Sequence, residues 1–360
     1  MLVTFVFAVF SFLILIIFKD LNFIEYFHNL YDFISFKTLI LLAMFIVTNK
    51  AYELNNTFKI SAFYLLKNIN YLRFIIIILV FLCFFSSMLV TNDAALLCFV
   101  PFSIYLLKEL KKRHITMIVV ILQTLAANLG SMLTPFGNPQ NLFIYNYYDM
   151  NLWQFLEITF IYCLVSAIIL LIFIFFIKNH KIKVKLFRPD FKIFDFLQIS
   201  VAFFICIFCV IGVFDIVFGF FIVVLIIFYN NKKVFLKADY SIIIIFINLF
   251  IFVKNISFFI DFDDFNIFYK SIILSSLLSN VPACVFLANF TNDYKELLLG
   301  VNIGSLGTII ASMASVISYK YYVNTYKKYA LKYILKFTFF NVLFLIFMIL
   351  FYEFKNAFFI

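Results

Sequence analysis

Asn128-Leu129-Gly130-Ser131-Met132-Leu133-Thr134 recurs without a gap as Asn302-Ile303-Gly304-Ser305-Leu306-Gly307-Thr308. The match continues from Tyr145, Tyr147 and Tyr148 to Tyr319, Tyr321 and Tyr322. Each copy follows a second shared element: Thr91-Asn92-Asp93-Ala94-Ala95 in the first half, Ser279-Asn280-Val281-Pro282-Ala283 in the second. Polar and helix-breaking residues at bilayer depth are costly unless they line a cavity or a protein interior. Their appearance in corresponding places of two halves is the pattern expected around the substrate site of a secondary transporter.

Composition agrees with a membrane setting. The chain is 66% hydrophobic and 13% charged, with a mean hydropathy of +1.11, which predicts an integral membrane protein. The 57 Phe, with abundant Ile, Lys and Asn, fit an AT-rich codon bias better than a specialised aromatic lining. The formal charge of +10 does not point to nucleic acid, because the basic residues fall in short loops beside apolar segments. The six Cys (83, 98, 163, 206, 209 and 284) lie in apolar stretches without metal-ligand or disulfide spacing. His28, His114 and His180 lie in loops, so neither a metal centre nor a bound cofactor is expected. Residues 1–18 lack a basic leading region and a small-residue cleavage motif, and read as a retained first span.

Helix-length apolar runs cover 1–18, 33–49, 115–145, 153–177, 241–258 and 334–352, near the ~20 residues a bilayer requires. The pair 198–213 and 216–229 reads as a tight helical hairpin turning at Asp215. Residues 72–107 and 269–290 are apolar with a polar break in the middle and no charged flank at the tip. They predict re-entrant helical hairpins that stop inside the membrane, against the alternative of two ordinary spans joined by a polar turn. Residues 52–71 suggest an interfacial amphipathic helix leading into the first hairpin.

Loop charges orient this path. Lys50, Lys59, Lys67 and Arg73, then Lys108, Lys111, Lys112 and Arg113, six Lys or Arg in 178–192, then Lys232, Lys233 and Lys237, and finally Lys320, Lys327, Lys328, Lys332 and Lys336 mark one side. Asp20, Glu25 and Asp32, Asp149, Asp215, and Asp261, Asp263 and Asp264 mark the other. With basic loops in the cytoplasm, the N-terminus is inside and the C-terminus outside. Five crossings (115–145, 153–177, 198–213, 216–229, 241–258) separate the two hairpins. An odd number makes them enter from opposite faces, so the halves are expected to be inverted repeats, the basis of alternating access. The expected fold is an all-α polytopic membrane protein of two such repeats, each with a re-entrant hairpin and a broken transmembrane helix. The boundaries are 1–177 (hairpin 72–107, broken helix 115–145), a cytoplasmic linker 178–197, and 198–360 (hairpin 269–290, broken helix 296–319).

A hairpin that turns inside the membrane leaves backbone N–H and C=O groups unpaired at its tip. Thr91 and Asn92, and Ser279 and Asn280, have short side chains suited to capping those groups and to offering oxygens to a cation. In the breaks, Gly130, Gly137, Gly304 and Gly307 let the backbone leave helical geometry, and Pro135 and Pro139 interrupt the first span. The freed carbonyls with Asn128, Ser131 and Thr134 are candidate Na⁺ ligands, joined by Asn138, Asn141, Asn302, Ser305 and Thr308 in the matching motifs. Half-helix N-termini can face an anion. The competing reading is packing glue between helices.

Asp93 is the most pointed residue. A carboxylate at such a tip, with no adjacent Lys or Arg, is a candidate to take up a proton or contact a cation, and equally a cap for the second hairpin helix. Its repeat partner is Val281, so the tips are chemically unequal, and Pro135 and Pro139 also belong only to the first half. The first half is therefore expected to carry any coupling ion. Lys254 either snorkels to the outer interface or pairs with Asp93 or an anionic substrate. No Arg occurs in the four motif segments, so an anion must be bound by helix dipoles, amides and hydroxyls, which weighs against a multivalent carboxylate.

These motifs resemble the ion transporter superfamily, which includes arsenite efflux permeases, a class of sodium/proton antiporters, and citrate and dicarboxylate/sodium symporters. The resemblance spans nearly the whole chain and rests on Thr91–Ala95, on Asn128-x-Gly130-Ser131-x-x-Thr134-Pro135-x-Gly137-Asn138-Pro139-x-Asn141, on Ser279-Asn280-x-Pro282 and on Asn302-x-Gly304-Ser305. Dicarboxylate members carry Ser-Asn-Thr at both tips; here Asp93 and Val281 replace the Thr. The Asn-Asp tip is more similar to the arsenite and sodium/proton branches, and most similar to bacterial members described as anion transporters. The resemblance implies a homodimer with a scaffold and a moving transport part, in the bacterial inner membrane. The function expected is secondary active transport of a small inorganic or organic anion, coupled to H⁺ or Na⁺. A sodium/proton antiporter or an arsenite-type efflux permease is the alternative. An enzyme is not expected, since no His, Glu or Cys converge within the spans, and there is no Gly-rich Lys motif for ATP.

Overall fold

The computed structural model describes residues 5–6, 8–12, 34–67, 69–182, 187–256 and 266–358. Most of the first expected span, the acidic loop with Asp20, Glu25 and Asp32, and the loop with Asp261, Asp263 and Asp264 lie outside the described residues. Within them the chain is helical apart from one isolated bridge between Tyr71 and Lys181.

The helices run in this order: α1 (Phe36–Leu54), α2 (Thr57–Leu66), α3 (Leu72–Leu89), α4 (Asn92–Glu109), α5 (Arg113–Ser131), α6 (Pro139–Tyr147), α7 (Leu152–Phe175), α8 (Ile193–Val210), α9 (Ile216–Asn231), α10 (Lys233–Lys237), α11 (Ser241–Ile256), α12 (Ile267–Leu278), α13 (Asn280–Ala288), α14 (Tyr294–Gly304), α15 (Met313–Thr325) and α16 (Ala330–Phe358). Five stretches are long and apolar enough to cross a membrane: α3, α5, α7, α8 and Lys327–Ala357, which contains most of α16. The chain is an all-α, multi-pass membrane protein.

Burial patterns explain the layering. In α3, Ile75, Ile76, Leu79, Val80, Cys83, Phe84 and Ser87 form one buried stripe, while Phe74, Phe85 and Leu89 face out. Helix α5 is buried on every side from Ile115 onward and forms the centre of the first half. By contrast α7 presents Phe160, Leu164, Ile168, Ile172 and Phe175 outward at helical spacing. In α16, Leu335, Phe339, Val342, Ile346, Leu350 and Phe354 do the same. Such stripes are what a helix shows when its outer face meets lipid, where burial against protein offers little hydrophobic gain.

Both hairpins form as helix, tip, helix. In the first, α3 and α4 meet at Val90 and Thr91; in the second, α12 and α13 meet at Ser279. The arms of α12 and α13 have 12 and 9 residues, or roughly 18 and 14 Å at 1.5 Å per residue, too short to span a bilayer. By contrast α3 and α4 have 18 each, about 27 Å, so the first hairpin has the length of two spans joined by a polar turn. Both broken helices form too: α5 and α6 flank a break at 132–138, and α14 and α15 flank one at 305–312.

Several contacts inside each half recur at matching positions. Asn92 N–H donates to Gly137 O at 3.1 Å and Asn280 N–H to Ala311 O at 3.0 Å, each pinning a hairpin tip to its own break. Thr134 donates to Met88 O at 2.5 Å and Thr308 to Ser276 O at 2.7 Å. Ser131 and Ser305 donate back to Asn128 O and Asn302 O at 3.0 and 2.6 Å. Gly130 lies against Phe84 and Ser87, and Gly304 against Ile272 and Ser275. The halves also cross over: α15 packs on α4 and α5, while α6 packs on α13 and α14.

Some boundaries differ from the sequence expectation. The interfacial helix is shorter than 52–71, because Asn56 takes a left-handed conformation (φ 55°) and separates α1 from α2. Residues 193–197, expected in the linker, begin α8, since the apolar run starts directly after Lys192. The rest of the linker is anchored: Leu72 N–H donates to His180 O, and Arg73 donates twice to Ile177 O. Between α8 and α9 the chain turns at Gly212 (φ 77°), and Asp215 caps α9 by accepting from Val217 and Phe218 N–H.

Candidate functional site

Four helix starts, with the first turn of a fifth helix beside them, line one small cavity. It is lined by Asn92 and Asp93 from the start of α4, Pro139 and Gln140 from α6, Ser279, Asn280 and Val281 from α13, Ser312 and Met313 from α15, and Ile242 from α11. Its volume is about 20 Å³, room for roughly one water molecule or bare ion. Each helix N-terminus carries the equivalent of about +0.5 charge, so the cavity is positive by construction and Asp93 is its acidic wall. Two larger hollows, about 350 Å³ beside Lys37 and Asp149 and about 530 Å³ beside Glu157 and Glu296, lie elsewhere, and neither gathers helix starts in this way.

The tips are capped differently. Thr91 Oγ1 accepts from Ala94 N–H at 3.3 Å, and Asn92 Oδ1 accepts from Asp93 N–H at 2.9 Å. Ser279, expected to cap in the same way, makes no side-chain cap. It sits instead at φ 85°, ψ 153°, a region that suits glycine and costs other residues about 1–3 kcal/mol. Ser279→Gly is therefore expected to stabilise the protein by about 1 kcal/mol through relief of that strain, read as a higher melting temperature in detergent. A lower melting temperature would show that the hydroxyl contributes more than the strain removes.

Beneath the cavity lies a lattice of buried amides that ties the halves together. Asn138 Nδ2 donates to Asn302 Oδ1 at 3.1 Å, and Asn302 Nδ2 donates to Asn141 Oδ1 at 2.7 Å and Leu298 O at 2.8 Å. Asn128 Oδ1 accepts from Asn92 Nδ2 at 3.1 Å and Ser312 Oγ at 3.0 Å. Asn138 and Ser312 are counterparts in the repeat, as are Asn302 and Asn128. The residue capping or starting each second half-helix thus bonds the asparagine of the opposite half.

Contrary to the expectation from sequence, the carbonyls freed by the first break are not open. Asn141 Nδ2 lies 3.2 Å from Ser131 O, 3.4 Å from Met132 O and 3.1 Å from Thr134 O, and shares its two N–H hydrogens among them. The counterpart of Asn141 is Ser315, too short to reach so far, and its Oγ is buried without a hydrogen-bond partner. Asn280 Oδ1, Ser275 Oγ and Asn128 Nδ2 are likewise buried and unpartnered. Unpaired buried polar groups cost about 1–3 kcal/mol each. Of the unpartnered oxygens in the two tip-and-break motifs, Ser275 Oγ, Asn280 Oδ1 and Ser315 Oγ belong to the second half, while the carboxylate, Asp93, belongs to the first.

Of the thirteen residues singled out from sequence, Asn92, Asp93, Ser279 and Asn280 line the cavity. Asn128, Ser131, Asn138, Asn141, Asn302 and Ser305 form the lattice below it. Thr91 caps α4, and Thr134 and Thr308 fasten each break to its own hairpin arm. Lys254 sits in the last turn of α11, about 18 Å along that helix from Ile242, which places it at the far end from Asp93. Sequence reasoning missed Ser312 and Gln140. Carrying the repeat alignment past Gly137 onto Asn138 and Ser312 finds the first; Gln140 has no sequence signal.

The citrate transporter family, CitMHS, matches residues 2–259. The chain belongs to this family. The match includes the first hairpin and its break and stops before the second hairpin, so α12 to α15 connect to the family pattern through the internal repeat. An uncharacterized transporter of Methanocaldococcus jannaschii is 29% identical over 249 residues, 65% of this chain and 67% of the relative. The Escherichia coli inner membrane protein YbiR is 32% identical over 112 residues, 31% of this chain and 30% of that protein. As a CitMHS member with these spans, the chain is a multi-pass membrane transporter.

Proposed function

We propose that this chain is a secondary active transporter that moves a small inorganic or organic anion by alternating access, with H⁺ or Na⁺ as the coupling ion. The observation that carries the reading is the convergence of four helix N-termini on one cavity that also holds Asp93 and the unpartnered Asn280 oxygen. Helix starts attract an anion; Asp93 and Asn280 Oδ1 attract a cation. The coupling ion is then shared between halves, its carboxylate from the first and its neutral oxygens from the second. Five crossings expected between the hairpins make the halves inverted repeats, and the basic loops put the N-terminus in the cytoplasm of a chain in the inner membrane. The matched tip and break contacts support two gates of related build. A cavity of about 20 Å³ admits no polyatomic anion, so the tips part to load one.

The same small volume favours one second reading: a sodium/proton antiporter in which Asp93 alternates between a proton and Na⁺. Uptake into proteoliposomes separates the two. Citrate, sulfate and arsenite are offered with imposed Na⁺ or H⁺ gradients, alongside Na⁺/H⁺ exchange without anion. For the anion reading, gradient-driven uptake of at least one anion is expected, falling at least about tenfold in Asp93→Asn. Unchanged coupling in that variant removes Asp93 from the mechanism. Exchange of Na⁺ for H⁺ with no anion moved replaces the first reading by the second.

A further inference from the structure

Asp239 is the one acidic residue between Ile216 and Ile256, and it follows Lys232, Lys233 and Lys237. It stands just ahead of α11 and accepts from Ser241 N–H at 2.9 Å. Hydrogen bonds from the Ser241 hydroxyl and amide hold its carboxyl below the usual carboxylate range, so it is ionised at neutral pH. Helix capping accounts for that hydrogen bond but not for the residue's position. Ile242, three residues on, lines the tip cavity with Asp93. Asp239 is exposed to solvent, yet lies within electrostatic reach of half-buried Asp93.

The other charges around this approach are partly spent on each other. Lys50 of α1 interacts with Asp239 but is already paired with both oxygens of Glu53, at 2.7 and 2.8 Å. Lys59 of α2 is exposed to solvent. Asp239 is thus an exposed carboxylate just ahead of the helix whose Ile242 lines the cavity.

We propose that Asp239 is an ion-guiding residue, whose carboxylate concentrates the coupling monovalent cation, proton included, at the mouth of the tip cavity and delivers it toward Asp93. This rests on the reading of Asp93 as the coupling carboxylate. A fixed charge acts over about 10 Å before salt screens it, and low-dielectric walls focus its field into a cleft. Asn280, whose Oδ1 is buried and unpartnered, lines the same cavity.

The test uses the full-length protein in liposomes with Ile242→Cys as reporter, since the six native cysteines are buried. Labelling rates are compared for a cationic reagent, methanethiosulfonate ethyltrimethylammonium, and an anionic one, methanethiosulfonate ethylsulfonate. Asp239→Asn keeps an oxygen for the cap and removes the charge. It is expected to lower the cation-to-anion rate ratio about tenfold, with Asp239→Glu restoring it. The same reagents on Trp153→Cys, at the exposed start of α7, are expected to show no change. A shift under about twofold in Asp239→Asn, or an equal shift at the Trp153 position, overturns the proposal. Labelling requires no transported anion, so absent coupled uptake in the wild type counts against the transport reading alone, and the labelling ratio judges Asp239 separately.

Discussion

Gly130→Ala is expected to loosen the first hairpin and to lower the melting temperature in detergent by several degrees. A Cβ built on Gly130 falls 2.2 Å from Phe84 O and 2.7 Å from Ser87 Oγ. The first of these is a backbone carbonyl inside α3, which cannot rotate aside, so α3 and α5 must move apart. Overpacking of this kind costs about 1–3 kcal/mol. The displacement also stretches the bonds from Thr134 to Met88 O and from Asn92 to Gly137 O, which fix the tip, so coupled uptake should fall with stability. Gly304→Ala provides a graded comparison. Its nearest neighbours are Ser275 Cβ at 2.7 Å and Ile272 Cα at 3.0 Å, a smaller intrusion with a correspondingly smaller loss. A Gly130→Ala protein that melts with the wild type would mean that α3 and α5 are not packed this closely.

Asn302→Ala should be the most damaging single change in the amide lattice. Asn302 is 2% exposed and its side chain joins Asn138, Asn141 and Leu298 O. Truncation leaves Asn141 Oδ1 without its 2.7 Å donor and opens a polar void, a loss of about 2–4 kcal/mol when an orphaned acceptor and the cavity are combined. Asn128→Ala should cost less, because Asn128 Nδ2 is already unpartnered. A double-mutant cycle between Asn138 and Asn302, read by denaturation, is expected to give a coupling of about 0.5–3 kcal/mol. Additive losses would mean that the two halves are not joined through this pair.

Much of this was visible before any coordinates. Thr91-Asn92-Asp93 and Ser279-Asn280 interrupt apolar runs and do become hairpin tips. Gly and Pro in the two Asn-x-Gly-Ser stretches do become breaks between half-helices. The reason is local: a bilayer sets the length of an apolar helix, and a missing N–H or a flexible glycine interrupts it wherever the helix lies. Element ends were less legible. The linker was bounded by its charges, but Ile193–Leu197 are apolar enough to start α8 as soon as Lys192 is passed.

Partnership of polar atoms was not legible at all. The first break offers carbonyls that look free on paper, and Asn141 closes them because the chain folds back on itself there. Ser279 looked like a cap equivalent to Thr91, and packing instead placed it at positive φ. Lys254 looked available to Asp93, but helix α11 carries the two away from each other.

From its sequence alone this chain was bound to be an all-α membrane protein with two polar, broken elements in matching places, because length, hydropathy and helix breakers act within a single segment. Only the tertiary structure decided that four helix starts meet at one cavity, that Asn138 and Ser312 reach across to the opposite half, and that Asn280 of the second tip lines the same cavity as Asp93 of the first. Hydrogen bonds and helix dipoles act within a few ångströms, and residues such as Asn138 and Asn302 come within that range only once both halves have packed together.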